Sequence, residues 1–163
     1  MVDIAAQDPA DPADHAAIED LLDRAFGGDR LARPSYRLRR RADPVAGLGF
    51  VAWDGGRLVG TLRFWPVVIG GAAQALLLGP LAVDAAYRHR AIATSLIRRG
   101  LDQARRNGHR IVTAVGDLAL FGRFGFTTAA PLGLVMPGLA DRERLLALAL
   151  VPAALDGVGG CLQ

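Results

Sequence analysis

The side chains best suited to hold an anion stand together at Arg88-His89-Arg90, between two segments of different hydrophobic period. Upstream, Leu76 to Val83 is an apolar run broken only by Gly79-Pro80. Its length fits a buried strand, kinked or bulged where Pro80 has no N–H to give a ladder. Downstream, Ala93, Leu96, Ile97, Gly100, Leu101 and Ala104 recur at three- and four-residue steps and make one apolar helical stripe. Asn107-Gly108 is a helix stop. Strand, basic turn and helix start together make an anion-binding arrangement. The first N–H groups of a helix lack partners inside it, and the helix dipole adds partial positive charge there. A phosphate fits such an end. An ordinary strand–helix connection with a solvated basic turn would carry the same residues, so spacing alone leaves both readings open.

Other candidate groups are fewer. Arg63 and Trp65 share one face of a segment of period two. A buried Arg there needs a partner, so Arg63 is either an edge or solvent-facing residue or an anchor for a substrate carboxylate. Asp84 and Asp117 are the carboxylates nearest the central segment, and both stand where they would cap turns. Cys161 is the sole cysteine, with no His near it in sequence, and reads as an incidental thiol. One cysteine also excludes an internal disulfide framework and a Cys-rich zinc site. No metal is expected.

The run Leu81-Ala-Val-Asp-Ala-Ala-Tyr-Arg-His-Arg-Ala-Ile-Ala93 resembles the signature segment of the GNAT N-acetyltransferases, in particular their small bacterial YhbS-like members. The resemblance implies acetyl-CoA, or another acyl-CoA, as cosubstrate. The family's turn reads Q/R-x-x-G-x-G/A, and Arg88, Ala91 and Ala93 stand at its matching positions. By that likeness the turn and helix start, Arg88, His89, Arg90, Ala91, Ile92, Ala93 and Thr94, would grip the pyrophosphate. The strand end, Leu81, Ala82 and Val83, would hold the pantetheine arm. Ala91 replaces a Gly. An Ala forced into a left-handed conformation costs roughly 1–2 kcal/mol; at ordinary helical φ it would only add a methyl group near the phosphates. A second run, Phe121-Gly-Arg-Phe-Gly-Phe126, resembles the family's Y-x-x-x-G-F. There the Tyr returns a proton to the CoA thiolate. Phe121 stands in its place, beside the cofactor but without a proton to give. The catalytic residue is therefore unassigned.

The remaining chain supplies the elements that must position these groups. With 163 residues, 52% of them hydrophobic, one domain over residues 1–163 is expected. The net charge is +3, and all 19 basic residues counted as Lys or Arg are Arg. Arg37 to Arg41 is the one basic cluster, better explained as a solvated helix face than as a nucleic-acid surface. No run approaches the ~20 apolar residues that span a bilayer, and no basic-then-apolar leader is seen. A cytoplasmic protein is expected, monomer or homodimer.

In chain order, Val2 to Ala6 reads as a strand and Asp11-Pro12 opens a helix through Phe26, stopped by Gly27. Asp29 to Asp43 is an Arg-rich helical segment interrupted at Pro34. In the GNAT family this region lines the acceptor side, so Arg30, Arg33 and Arg37 would either meet an acidic acceptor or be solvated. Leu48–Trp53, Arg57–Ile69 and Gln74–Val83 form an antiparallel meander with turns at Gly55-Gly56 and Gly70-Gly71. Arg110 to Val115 then lies parallel to the third strand across a right-handed crossover. Leu132–Met136 and Leu145–Val151 read as two closing strands. The fold class expected is α+β of GNAT type: a mixed, mostly antiparallel sheet with one splayed parallel pair, flanked by helices. The implied activity is N-acyl transfer from CoA to a small-molecule or protein amine. The alternative is an acyl-CoA binding or regulatory module with little turnover, motivated by Ala91 and Phe121.

Overall fold

The computed structural model describes residues 1–8, 10–88 and 91–163. The chain opens with β1 (Val2–Ala6) and α1 (Pro12–Phe26). Asp11 accepts from the N–H of Ala13 at 2.9 Å and caps α1, with Pro12 in the first turn and Gly27 ending it at φ 83°. A 3-10 turn at Arg30–Ala32 leads into α2 (Pro34–Arg39). The meander follows as β2 (Gly49–Asp54), β3 (Arg57–Ile69) and β4 (Ala73–Val83), within one residue of the bounds the alternation predicts. Then come α3 (Ile92–Arg106), β5 (Ile111–Val115), α4 (Leu118–Phe121), β6 (Thr127–Thr128), β7 (Leu134–Val135), β8 (Leu145–Ala149) and β9 (Gly160–Cys161).

The main sheet has strand order β1-β2-β3-β4-β5-β8-β6. Within it, among the described residues, β4 and β5 run parallel and the other pairs antiparallel. This is the mixed α+β sheet expected. Helix α3 covers one face: Ile92, Leu96, Ile97, Leu101 and Ala104 pack with Phe50, Leu62, Phe64 and Leu76. Gly100 lets it come close, since a Cβ there would stand 2.6 Å from the Phe64 ring. Helix α1 covers the opposite face through Ile18, Leu21 and Leu22 against Val51, Leu58 and Ala82. The strand period of two puts Val51 and Phe50 on these opposite faces.

The two closing strands are corrected. Only β8 joins the main sheet, between β5 and β6. Near the other, two residues, Leu134 and Val135, form strand, and they pair in parallel with Gly160 and Cys161 in a separate small sheet. Gly133, at φ 76° after a 3-10 turn, re-aims the chain there. A two-residue strand carries no readable period, which is also why β6 and β9 had no signal.

Candidate acyl-transfer site

The site begins with a failure of strand pairing. β4 and β5 are in register only at Leu76–Val112 and Leu77–Thr113. Beyond Leu77 the two strands part. On the β3 side, the pairs Leu62–Leu81 and Phe64–Leu78 enclose one residue of β3 but two of β4, Gly79 and Pro80. This is a bulge in β4 at the residue that cannot donate. The Gly79–Pro80 peptide is cis, and Trp65 Nε1–H donates to the Gly79 carbonyl at 2.7 Å. The N–H of Asp84 donates to Val59 O at 2.8 Å, toward β3. Backbone groups alternate sides along a strand. The amides of Val83 and Leu81 therefore face away from β3, toward the open edge, and that of Ala82 faces β3. A hollow of about 550 Å³ fills the parting, with Gly79, Pro80 and Leu81 on one side and Val115, Leu120 and Phe121 on the other.

After β4, Asp84 accepts from the N–H of Ala86 at 3.0 Å and caps a 3-10 turn at Ala85–Tyr87. Arg24 and Arg57 donate to its Oδ2 at 2.9 and 2.8 Å. The Ala86 N–H and then the Arg24 hydrogen bond, with Arg57 adding to them against the opposing effect of burial, hold this carboxyl down to about 2. It is a structural anion, not a base. Asp117 likewise caps α4, accepting from Ala119 at 2.9 Å. Helix α3 starts at Ala91, whose φ is 55°, in the left-handed region. Among the described residues no side chain caps it. Ser95 N–H is bonded to Ala91 O at 3.1 Å, so the amides of Ile92, Ala93 and Thr94 precede the first intrahelical bond. Arg88 and Ala91 are exposed beside them. His89 and Arg90, expected at this turn, lie outside the described residues.

The opposite wall comes from α1, α2 and β3. Tyr36, Arg39 and Pro34 of α2 line the same hollow. A second hollow of about 190 Å³ adjoins it, lined by Arg30, Tyr36, Arg39, Arg63 and Trp65. Arg30 is buried, not solvated: its Nε donates to Asp23 at 2.9 Å, Nη1 to Tyr36 Oη at 3.3 Å, and Nη2 to Glu19. Burial lowers its basicity, but the bonds to Asp23, Tyr36 and Glu19 outweigh that and raise it. Arg63, on an interior strand, is only 8% exposed, which corrects the edge or solvent-facing reading. Its Nε donates to Gln7 Oε1 at 3.1 Å. Burial mainly, and the charge of Arg30, lower its pKa, while Glu19 and Tyr36 oppose them.

Comparison with known proteins follows this geometry. The model of the acetyltransferase (GNAT) family matches residues 15–126. The chain is 37% identical over 156 residues to the uncharacterised N-acetyltransferase YhbS of Escherichia coli K12, covering 93% of this chain and 91% of that one. The crystal structure of E. coli YhbS in complex with CoA superposes with a TM-score of 0.79 at 33% identity, over 99% of this chain and 87% of that one. A GNAT acetyltransferase from Brucella melitensis in complex with acetyl-CoA gives 0.71 at 27% identity, over 99% and 94%. The chain belongs to the GNAT acetyltransferase family.

Within that GNAT frame, Phe121 is 5% exposed and meets Phe126 edge to face, with centroids 5.3 Å apart. A Cβ on Gly116 would stand 2.4 Å from its ring. The residue at the family's Tyr position is thus a packed core side chain that still lines the hollow. The structure brings Leu81 and Phe121 together across the parting and Arg63 and Trp65 beside the second hollow. Ala82 instead packs under α1. Sequence reasoning missed Tyr36 and Arg39, and took Arg39 for part of a solvated face although it is 7% exposed. The sequence offers only the three-residue spacing of Tyr36 and Arg39, which shares a helical face but does not single out Arg39 from Arg37 and Arg40.

Proposed function

We propose that this protein transfers an acyl group, acetyl in the first instance, from CoA to an amine. The parting of β4 from β5 carries the reading. It leaves the Val83 and Leu81 amides without strand partners among the described residues, at the rim of a hollow of about 550 Å³. The residues fit CoA. The amides of Ile92, Ala93 and Thr94 would hold the diphosphate, with Arg88, His89 and Arg90 adding donors, and Leu81 and Val83 would hold the pantetheine. CoA supplies the activated acyl group.

The acceptor nitrogen enters from the α1–α2 wall and attacks the thioester carbon as a neutral amine. The new C–N bond forms as the carbonyl electrons move onto oxygen, where the Val83 N–H stabilises the oxyanion. The C–S bond then breaks and the sulfur leaves as thiolate. The nitrogen loses its proton to water, and water or an acidic side chain protonates the sulfur. A thiol of pKa ~8.5 is a fair leaving group without help. Asp84 has no part, since its lone pairs are engaged by Ala86, Arg24 and Arg57.

Isothermal titration with acetyl-CoA, followed by thiol release over an amine panel, tests this. Micromolar binding with turnover is expected, and silence in both removes the reading. The packed Phe121 favours one rival, a GNAT fold that binds acyl-CoA without turnover. Phe121→Tyr separates them. A rise of about tenfold or more in kcat marks an enzyme lacking its acid. Tight CoA binding with no turnover in either form marks a binding module.

A further inference from the structure

Arg39 is a buried cation that nothing in the described protein neutralises. Its side chain is 7% exposed, and its Nε has no hydrogen-bond partner. No ion pair includes it among the described residues. The guanidinium lies over the Tyr36 ring, 4.7 Å from its centroid. Its Nη2 fills the space that a side chain on Gly79 would take, 2.5 Å from an ideal Cβ. Burial pulls its pKa down to about 10, with Tyr36 opposing, so it stays charged at neutral pH. An uncompensated buried charge costs free energy unless a partner arrives.

The partner's sign and place are set by the surroundings. Arg39 lines both hollows, at the bulge where the acyl group would sit. Together the two linings hold Arg30, Arg33, Arg39, Arg40, Arg63 and Arg144, against Glu19 as their one carboxylate among the described residues. Glu19 is already engaged by Arg30. Arg63, the second buried arginine without an acidic partner, faces the smaller hollow. A polycationic acceptor would be repelled. An ammonium group entering here would be pushed toward the neutral form that attacks. A carboxylate would meet a planar donor fork held against an aromatic face.

Resting on the acyl-transfer reading above, we propose that the acceptor is an amine that also carries a carboxylate, and that Arg39 binds that carboxylate. Arg63 is the second cation of the same subsite. Amino acids and peptides with a free C-terminus share this chemistry.

The test compares matched acceptors with acetyl-CoA: amino acids and their amides, short peptides with free and amidated C-termini, and spermidine as a polycation. The acid member should exceed its amide by about 30-fold or more in kcat/KM, and the pair showing this identifies the source. In Arg39→Gln the ratio should fall to about threefold, with an unchanged circular-dichroism spectrum as proof of an intact fold. Arg39→Lys should recover part of it. Amides or spermidine used as well as acids, or a preference that survives Arg39→Gln, overturns the proposal. The wild-type ratio needs no variant, so a misfolded substitution does not remove the test. If CoA binds but no amine reacts, the acyl-transfer reading fails and binding decides the anion subsite. N-acetylglycine and N-acetylglycinamide would then be titrated into CoA-loaded protein. Tighter binding of the acid, lost in Arg39→Gln, sustains the subsite; equal or absent binding overturns it.

Discussion

The two walls of the hollow are built from different materials. The wall that the proposed function gives to CoA, the CoA wall, is backbone: the edge of β4 past Leu77 and the first amides of α3. The acceptor wall is side chain: Arg30, Tyr36, Arg39 and Arg63, drawn from a 3-10 turn, a six-residue helix and a strand. Backbone amides contact a ligand whatever side chain they carry, so Ala91 can serve where the resemblance implies Gly, at the strain of a left-handed φ of 55°. A side-chain wall changes with each substitution, and it is where the proposed function puts acceptor choice. Arg30 and Arg39 make the point within one wall. Both stack on Tyr36, at 5.5 and 4.7 Å from its centroid. Among the described residues only Arg30 has carboxylates, and so Arg30 holds the wall together while Arg39 is the one the proposal gives to a ligand.

The strongest way to break this contrast is Val83→Pro. The Val83 amide does not serve the β3 ladder, so its removal should lower kcat by about 10²–10³, as for a lost oxyanion donor, while thermal stability stays nearly unchanged. An inactive variant that also melts early would show the amide to be structural.

Next come the two arginines, which should respond with opposite sign. Arg30→Met removes three hydrogen bonds, two of them charged, and should destabilise by about 2 kcal/mol. Glu19 and Asp23 keep access to water, which limits the loss. Arg39→Met removes an unpaired buried charge and should be neutral or stabilising by about 1 kcal/mol, a few degrees in Tm, while acid acceptors are lost. Equal destabilisation by both, in denaturant melts, would erase the distinction.

Asp84 tests the strap beneath the CoA wall. Its folded pKa of about 2 lies below the ordinary 3.8, so its stabilisation is present above about pH 4 and lost as pH falls through 2. It amounts to no more than about 2 kcal/mol, since Arg24 and Arg57 are half exposed. Asp84→Asn should flatten stability between pH 4 and 2 and weaken CoA binding through the loop it anchors. An unchanged acid limb would remove this role.

The smallest effect is at Ala91. With φ at 55°, its Cβ is strained by about 1 kcal/mol. Ala91→Gly should recover up to that amount, less the added freedom of the unfolded chain, and tighten CoA binding a few-fold. A drop in Tm would mean the left-handed turn is not strained.

The meander, the caps at Asp11 and Asp117 and the stripe of α3 were legible because each depends on neighbours within a few residues. So were β4 and α3, the consecutive elements to which the proposed function assigns CoA. The separate β7–β9 sheet was not, because two-residue strands have no period and their pairing joins residues 134–135 to 160–161. Nor was the fate of the arginines. Arg37, Arg39 and Arg40 look alike in a run, and Arg63 looks like an edge residue. Burial and partners depend on what α1, β3 and the β4 bulge bring near them.

The sequence by itself thus determined the order of the main elements, the helix start after Arg90 and the departures at Ala91 and Phe121, since these follow from local period and residue type. Tertiary structure decided that the splay of β4 from β5, expected from the family likeness, begins after two pairs, that Ala91 is left-handed, and that Arg39 is a buried cation without an acidic partner among the described residues. Those outcomes depend on long-range packing and desolvation, which no stretch of chain carries alone.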